Sequence, residues 1–158
     1  MWVRSSGIRR PLLVLLVVLA ATGAGSAAEL DQHGVGHSWQ GEDSSIRIVD
    51  FAASWCRPCW TTLPRLQRLA DDNPELKIIV VSVDESLEGR DLLVEKLELR
   101  LPVLWDGEHN IAEHFRPQGM PAIFVLDRNG TVVYSHLGSG DSEWDALRGM
   151  IEELSTPH

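Results

Sequence analysis

The sequence predicts an α/β fold in which a central mixed β-sheet is flanked by helices. Three observations lead to this prediction. Residues 76–83 form a continuous run rich in β-branched side chains, typical of a parallel strand buried on both faces. Strand patterns alternate with helical patterns around this run, which favours parallel pairing. Nearer the C-terminus, two strand patterns flank the turn sequence DRNG at 127–130, which indicates an antiparallel hairpin.

The first half of the domain is predicted to contain two strands and two helices. A short strand covers 46–51, and the buried strand covers 76–83. A helix is predicted over 56–72, ending before Asn73-Pro74, and a second over 86–99. Apolar residues of the first helix recur at near-helical spacing: Trp60, Leu63, Leu66 and Ala70.

The second half completes the order β-α-β-α-β-α-β-β-α. A short extended piece at 102–105 precedes a short helix around 111–115. The hairpin strands are predicted at 121–126 and 131–137. The last helix is predicted over 141–154, with Asp141 as its N-cap and one apolar face: Trp144, Leu147, Ile151 and Leu154.

Length and composition restrict the class of protein. The chain has 158 residues, the size of one ordinary domain, with 44% hydrophobic and 23% charged residues, as in soluble globular proteins. Its formal net charge of -9 is a poor match for a nucleic-acid backbone, so no nucleic-acid partner is expected. Two cysteines exclude a scaffold of several disulfides.

Residues 1–28 have the layout of a secretory signal. Arg4, Arg9 and Arg10 precede an uncharged apolar run, and Ser26-Ala27-Ala28 forms a small-x-small cleavage site. The alternative is an uncleaved N-terminal membrane anchor, because the uncharged stretch reaches the lower end of bilayer-spanning lengths, roughly 17–25 residues. Either reading predicts export, with a periplasmic location.

Residues 29–45 are polar and glycine-rich and show no strand or helix period, which predicts a loosely ordered leader. His33 and His37 within it are interpreted as solvated loop histidines, because a metal site needs three or four ligands. The folded domain is then predicted to cover 46–158.

The chemistry is expected at Cys56-Arg57-Pro58-Cys59, between a strand and a helix. Unpaired N–H groups and the positive end of a helix dipole stabilise a thiolate at Cys56, and Arg57 adds a positive charge. Pro58 lacks an N–H, which costs nothing in a first helical turn. This geometry leaves Cys56 outermost and Cys59 one turn further in.

Redox exchange is the favoured interpretation of this pair, but three alternatives stay open. A static disulfide would gain little from closing so short a loop. Half of a zinc site would need partners from His109, His114 and His136, because no second cysteine pair exists. A copper carrier is the third alternative, because thiolates suit Cu(I).

Four segments together resemble the exported TlpA/ResA-like thiol–disulfide oxidoreductases of the thioredoxin superfamily. The segments are FAASWCRPC, Pro64, VVSVDES and GMPAIFVLDRNGTVVYSHLG. A C-x-x-C motif near a βαβ pattern is the general signature of thioredoxin-like proteins. The resemblance covers roughly residues 46–154 and implies a thioredoxin-like fold. It includes the extra helix near 86–99 that distinguishes this branch. Its relatives usually have a longer hairpin before the first strand than 29–45 allows.

The resemblance also implies roles for individual residues. Cys56 would be the attacking thiol and Cys59 the resolving thiol, joined as a redox disulfide. Pro121 would follow a cis peptide bond and present the Met120 backbone to an extended substrate. Trp55 matches the tryptophan that precedes the first cysteine in this family. The expected substrate-binding residues are thus Trp55, Arg57, Pro58, Met120 and Pro121.

Asp50 is the third expected catalytic residue. It lies six residues before Cys56, where thioredoxin proper has a buried acid, and burial would raise its pKa and let it exchange a proton with Cys59. Exported relatives often place a Glu three residues after the second cysteine, where this chain has Thr62. Asp84 and Glu85, after the central strand, are interpreted as part of a solvated loop, and the resemblance implies the rim of the site as the alternative.

The function expected from these residues is thiol–disulfide exchange with other exported proteins that carry thiols or disulfides. The resemblance implies a reductase, for example in cytochrome c maturation, supplied with electrons by a membrane-embedded thiol reductase. The protein is expected to be a monomer. No organic or metal cofactor is expected. Because Arg57 favours the thiolate and hence the reduced pair, a disulfide-forming oxidase is an alternative. A non-catalytic copper- or haem-handling chaperone is another.

Overall fold

The computed structural model describes residues 29–39 and 44–156. The predicted signal at 1–28 lies outside the described residues. In chain order the elements are β1 (Glu29–Leu30), β2 (Gly36–His37), β3 (Arg47–Ala52), α1 (Cys59–Asp72), β4 (Lys77–Ser82), α2 (Leu87–Leu97), β5 (Val103–Trp105), α3 (Asn110–Phe115), β6 (Ala122–Leu126), β7 (Val132–Leu137) and α4 (Asp141–Ser155).

The central sheet has five strands in the order β5-β4-β3-β6-β7. Strands β3, β4 and β5 are parallel, whereas β6 pairs antiparallel with both β3 and β7. The predicted mixed sheet, with a parallel section and a C-terminal antiparallel hairpin, is confirmed. The parallel strands are almost completely buried, as their apolar sequences require.

Helices cover both faces of the sheet. Alternate residues of β3 point to opposite faces, so Ile48 and Ala52 pack with α1, α2 and α4, whereas Val49 and Phe51 pack with α3. Helix α2 is the extra helix that the sequence predicts near 86–99, and it packs against α1 and β5. No helix in residues 29–39 and 44–156 is long and apolar enough to cross a bilayer.

Two helix starts differ from the sequence prediction. Helix α1 begins at Cys59, with Pro58 as N-cap, so Cys56 lies in the preceding turn rather than in the helix. The N-cap of α4 is Gly140, and Asp141 is the first helical residue. Periodic apolar residues locate the body of a helix but not its first turn, where cap geometry decides.

Residues 29–39 of the leader are more ordered than their composition predicts. Strands β1 and β2 pair as a short antiparallel hairpin around Asp31. The buried Asp31 carboxylate accepts hydrogen bonds from the backbone N–H groups of His33 (2.8 Å) and Val35 (2.9 Å) and lies 2.8 Å from Nε2 of His37. The expectation that His37 is a solvated loop histidine is therefore wrong, while His33 is exposed.

The Gln32 side chain attaches this hairpin to the edge of the central sheet. Its amide Nε2 donates to the carbonyl of Leu101 (2.9 Å), and its Oε1 accepts from the N–H of Val103 (2.8 Å). The amide thus pairs with two backbone groups at the start of edge strand β5, which would otherwise be unpaired groups of a sheet edge.

We expect Gln32→Ala to lower the free energy of unfolding by about 1–2 kcal/mol, because it removes two hydrogen bonds from partly buried groups. Urea denaturation followed by circular dichroism measures this loss. The control is Val35→Ala in the same hairpin, where the side chain is 54% exposed and the change should stay within about 0.5 kcal/mol. Equal urea midpoints for Gln32→Ala and the wild type would show that the hairpin is not held by this contact.

Candidate active site

The two cysteines form a disulfide in the turn between β3 and α1. Their Sγ atoms are 2.05 Å apart, and the Cα atoms are 5.4 Å apart. Cys56 keeps 5% of its surface exposed, while Cys59 at the first position of α1 has none. The structure therefore places Cys56 as the outer sulfur and Cys59 as the inner one.

The start of α1 supplies an electrostatic environment that stabilises a Cys56 thiolate. The Cys56 carbonyl accepts the N–H of Cys59 (3.0 Å), which holds the outer cysteine directly at the helix N-terminus. The positive end of the helix dipole lowers the free energy of a nearby anion. The neighbouring Arg57 and Pro58 side chains are both exposed, beside the disulfide rather than beneath it.

The Met120–Pro121 peptide bond is cis, as the resemblance implies. Pairing of Phe51 with Ala122 places the start of β6 beside the end of β3, so Pro121 lies next to the strand end that leads to Cys56. Met120 is half-buried and packs against the cluster that contains both cysteines. Trp55, by contrast, is 67% exposed.

Asp50 lies inside the protein below this surface. It is in the middle of β3 with the same orientation as Ile48 and Ala52, towards the face that α1 covers. Its side chain is fully buried, and neither carboxylate oxygen has a hydrogen-bond partner among the described residues. Burial away from water raises the pKa of Asp50 well above its ordinary value.

Thr62, Asp84 and Glu85 differ in exposure and in hydrogen bonding. Thr62 is buried in α1, and its hydroxyl donates to the Pro58 carbonyl (3.4 Å), so position 62 supplies no carboxylate to the site. Glu85 is exposed, but Asp84 is only 3% exposed. Both interpretations of Asp84, as a solvated loop residue and as a rim residue, are wrong, because its buried carboxylate accepts hydrogen bonds from Ser54 and Ser82.

Ser54 is the residue that the sequence analysis missed. Its N–H donates to both Asp84 carboxylate oxygens (3.0 Å each), and its hydroxyl donates to Oδ1 (2.7 Å). Its carbonyl accepts the indole N–H of Trp60 (2.9 Å). The only sequence signal was its position two residues before Cys56, which does not reveal a partner 30 residues away.

The candidate zinc partners do not gather around the cysteines. Among residues 29–39 and 44–156, no three His, Cys, Asp or Glu side chains form a group that could hold a metal ion. His114 stacks near Trp39, with ring centroids 4.5 Å apart, on the α3 face. Both ring nitrogens of His136 are buried and find no hydrogen-bond partner within the part of the chain that the structure describes, and burial lowers the pKa of this histidine.

The fold and this site define an α/β protein in which a disulfide-bonded C-x-x-C pair lies at the N-terminus of a helix. A family model described as thioredoxin-like matches residues 44–132, more than half of the chain. The chain belongs to this thioredoxin-like family.

Curated relatives carry more specific names. The thiol-disulfide oxidoreductase ResA of Oceanobacillus iheyensis is 26% identical over 112 residues, which cover 68% of this chain and 56% of that protein. The sporulation thiol-disulfide oxidoreductase A of Bacillus subtilis is 25% identical over 115 residues, covering 66% and 70%. The chain thus spans little more than half the length of the Oceanobacillus protein.

Solved structures agree on the fold. A candidate thiol:disulfide interchange protein DsbE from Chlorobium tepidum superposes with a TM-score of 0.72 at 25% sequence identity. The superposition covers 80% of this chain and 91% of that one.

The unpartnered Asp50 should make the stability of the protein fall as pH rises. In the unfolded chain an Asp titrates near pH 3.9, whereas burial raises the folded pKa. The folded state therefore binds this proton more tightly than the unfolded state does. The resulting contribution to the free energy of unfolding is fully present below about pH 4 and is lost as pH rises through the folded pKa. Asp50→Asn cannot ionise and lacks this loss, so its stability relative to the wild type should increase between pH 4 and 8.

Denaturant titrations of the oxidised proteins at several pH values measure the difference, which amounts to ~1.4 kcal/mol for each pKa unit of elevation. Asp72→Asn, at an exposed position of α1, is the control and should follow the wild-type pH dependence. A constant difference between Asp50→Asn and wild type across this range would mean that the Asp50 carboxylate is not destabilised by burial.

Proposed function

We propose that this chain is an exported thiol–disulfide oxidoreductase that acts as a reductase of envelope protein disulfides through Cys56 and Cys59. One observation carries the proposal: a C-x-x-C disulfide lies at the N-terminus of α1, and the sheet face that α1 covers holds a buried carboxylate with no hydrogen-bond partner in residues 29–39 and 44–156. A structural disulfide would not need this carboxylate, which is costly to bury. The names of the curated relatives support the same reaction.

The reaction starts from the reduced pair. The Cys56 thiolate attacks one sulfur of a substrate disulfide, forms a mixed disulfide and releases the other substrate sulfur as a thiolate. Cys59 then loses its proton and attacks Cys56, which releases the second substrate sulfur and forms the Cys56–Cys59 disulfide. Two electrons pass to the substrate, whose two thiolates take up protons.

Asp50 is the group proposed to accept the Cys59 proton. Burial raises the pKa of Asp50, so its carboxylate is a stronger base than that of an exposed Asp and better able to accept a proton from a thiol. In the reverse direction, protonated Asp50 returns the proton to Cys59 when the disulfide opens. Thr62, at the position where many exported relatives have Glu, cannot take this role.

An extended substrate segment is proposed to bind across Met120 and Pro121. The backbone before β6 lies next to the strand end that leads to Cys56, so a paired substrate would pass close to the outer sulfur. The exposed Trp55 ring offers apolar contact beside the sulfur, and Arg57 and Pro58 form the remaining exposed border. No organic cofactor enters this mechanism.

The proposed location and partners follow from export. The signal pattern at 1–28 would deliver the domain to the periplasm, either released or held by an uncleaved anchor. A membrane-embedded thiol reductase would restore the two thiols after each cycle. Because the pair works by exchange with extended segments, the haem-attachment C-x-x-C-H sequence of an apocytochrome c is a suitable substrate.

The first test uses an oxidised peptide with a C-x-x-C-H sequence and, as a general substrate, insulin. Reduced wild-type protein should reduce both, and Cys59→Ser should stop at a mixed disulfide with the peptide, visible by mass spectrometry, because the resolving thiol is missing. Cys56→Ser is the matched control and should form no adduct. Formation of the peptide disulfide by the oxidised protein, with no reduction by the dithiol, would support the oxidase role instead. Stoichiometric Cu(I) binding without any exchange would support the metal-handling role.

Asp50→Asn should slow the resolving step by about a hundredfold, the lower end of the effect of a positioned acid–base group. Because the amide cannot take a proton, this rate should depend on pH more steeply than the wild-type rate between pH 6 and 8. Stopped-flow quenching of tryptophan fluorescence measures the rate, and circular dichroism checks that the fold is retained. Identical rates and pH profiles for the two proteins would remove Asp50 from the mechanism.

A further inference from the structure

We propose that Asp84 is a positioning residue for disulfide exchange, because its buried carboxylate binds Ser54 and so fixes the turn that presents Trp55 and Cys56. The proposal rests on the proposed function, since it concerns the reactivity of the same sulfur. Asp84 belongs to the loop after β4, whereas the turn follows β3, so the contact joins two neighbouring strand ends.

The N–H, the hydroxyl and the carbonyl of Ser54 each have a hydrogen-bond partner. Its N–H lies 3.0 Å from both Asp84 carboxylate oxygens, and its hydroxyl lies 2.7 Å from Oδ1. Hydrogen bonds to an ionised carboxylate are stronger than those between neutral groups. Since the Trp60 indole donates to the Ser54 carbonyl (2.9 Å), the same residue is attached to α1 as well.

Asp84 is itself held from three sides. Its Oδ2 accepts the hydroxyl of Ser82 (2.8 Å), and its backbone carbonyl accepts the indole N–H of Trp105 (2.9 Å). Helix α2 closes over it at Gly89, where a Cβ would come within 2.5 Å of the Asp84 Cγ. A carboxylate enclosed in this way has little freedom, so it can fix the position of what it binds.

The position of the turn matters because the Cys56 thiolate depends on the helix N-terminus. Cys56 is two residues after Ser54 and three before the first residue of α1. A turn fixed at Ser54 and at Cys59 keeps the outer sulfur near the positive end of the helix dipole. A turn released at Ser54 would let the sulfur move away, which raises the pKa of the Cys56 thiol and misaligns its attack.

The test uses Ser54→Ala, which removes one donor to Asp84 and leaves the Asp84 charge in place. Any change at Cys56 must then come from the position of the turn rather than from a lost charge. We expect alkylation of Cys56 in the reduced protein to shift to higher pH. Exchange with a small aromatic disulfide should be about tenfold slower, within the roughly hundredfold cost of an error of about 1 Å. Ser54→Thr keeps the hydroxyl and should restore both values.

A second variant reaches the same contact from the opposite side. Gly89→Ala adds a methyl group that would press against the Asp84 carboxylate. Because alanine is a better helix former than glycine, the substitution should not by itself weaken α2. We expect it to shift Cys56 alkylation in the same direction as Ser54→Ala. Ser82→Ala removes a bond to Asp84 of similar length without touching the turn, and should alter Cys56 alkylation less than either variant.

The proposal is overturned if Ser54→Ala and Gly89→Ala lower the melting temperature but leave the pH profile of Cys56 alkylation and the exchange rate at wild-type values. It is also overturned if Ser54→Thr, which keeps the hydroxyl, shifts the profile as much as Ser54→Ala, because the effect would then not depend on the bond to Asp84. Alkylation of Cys56 in the reduced protein does not require the protein to catalyse disulfide exchange. Absence of exchange in the wild-type protein would therefore contradict the proposed function while leaving the positioning of Cys56 measurable.

Discussion

The position of β3 between β4 and β6 is the constraint on which the site depends. Parallel pairing with β4 brings two strand ends together, and antiparallel pairing with β6 brings the start of a third strand to the same edge. The Cys56 turn follows β3, Asp84 follows β4, and the Met120–Pro121 backbone precedes β6. Register also sets which side chains face α1, and a slip of one residue would turn Asp50 to the opposite face of the sheet.

Asp50 shows that this arrangement is not optimised for stability alone. All other residues of β3 from Ile48 to Ala52 are apolar and fully buried, and an apolar side chain at position 50 would complete the same core. A buried carboxylate with no donor among the described residues is costly when ionised, and this cost raises the pKa of Asp50. Groups with pKa values perturbed in this way concentrate at functional sites, which links the weakness of the core to the proposed chemistry.

Local patterns were sufficient for most of the fold but not for contacts between distant segments. The run at 76–83 and the turn at 127–130 predicted the parallel section and the hairpin, because burial and turn formation depend on adjacent residues. The order of the leader was not predictable, since it depends on Gln32 bonding to backbone about 70 residues away. The inward orientation of Asp84 was missed for the same reason: its partner Ser54 is 30 residues distant, and an acidic residue after a strand usually faces solvent.

The contacts around the disulfide are better suited to a pair that opens and closes than to a structural cross-link. The loop that the disulfide closes has a sequence separation of three, so the chain-entropy model assigns it less than the ~3 kcal/mol of a 15-residue loop. The turn is held instead by Asp84 and by the Trp60 indole, neither of which involves sulfur. Reduction of the disulfide breaks neither of these bonds, so the fold need not change when the pair opens. The energetic difference between the two redox states is then concentrated at the sulfurs and at any group that exchanges protons with them. If Asp50 takes the Cys59 proton, as we propose, the reduced pair is favoured when Asp50 is protonated, and the reduction potential is set jointly by the helix N-terminus and the buried carboxylate.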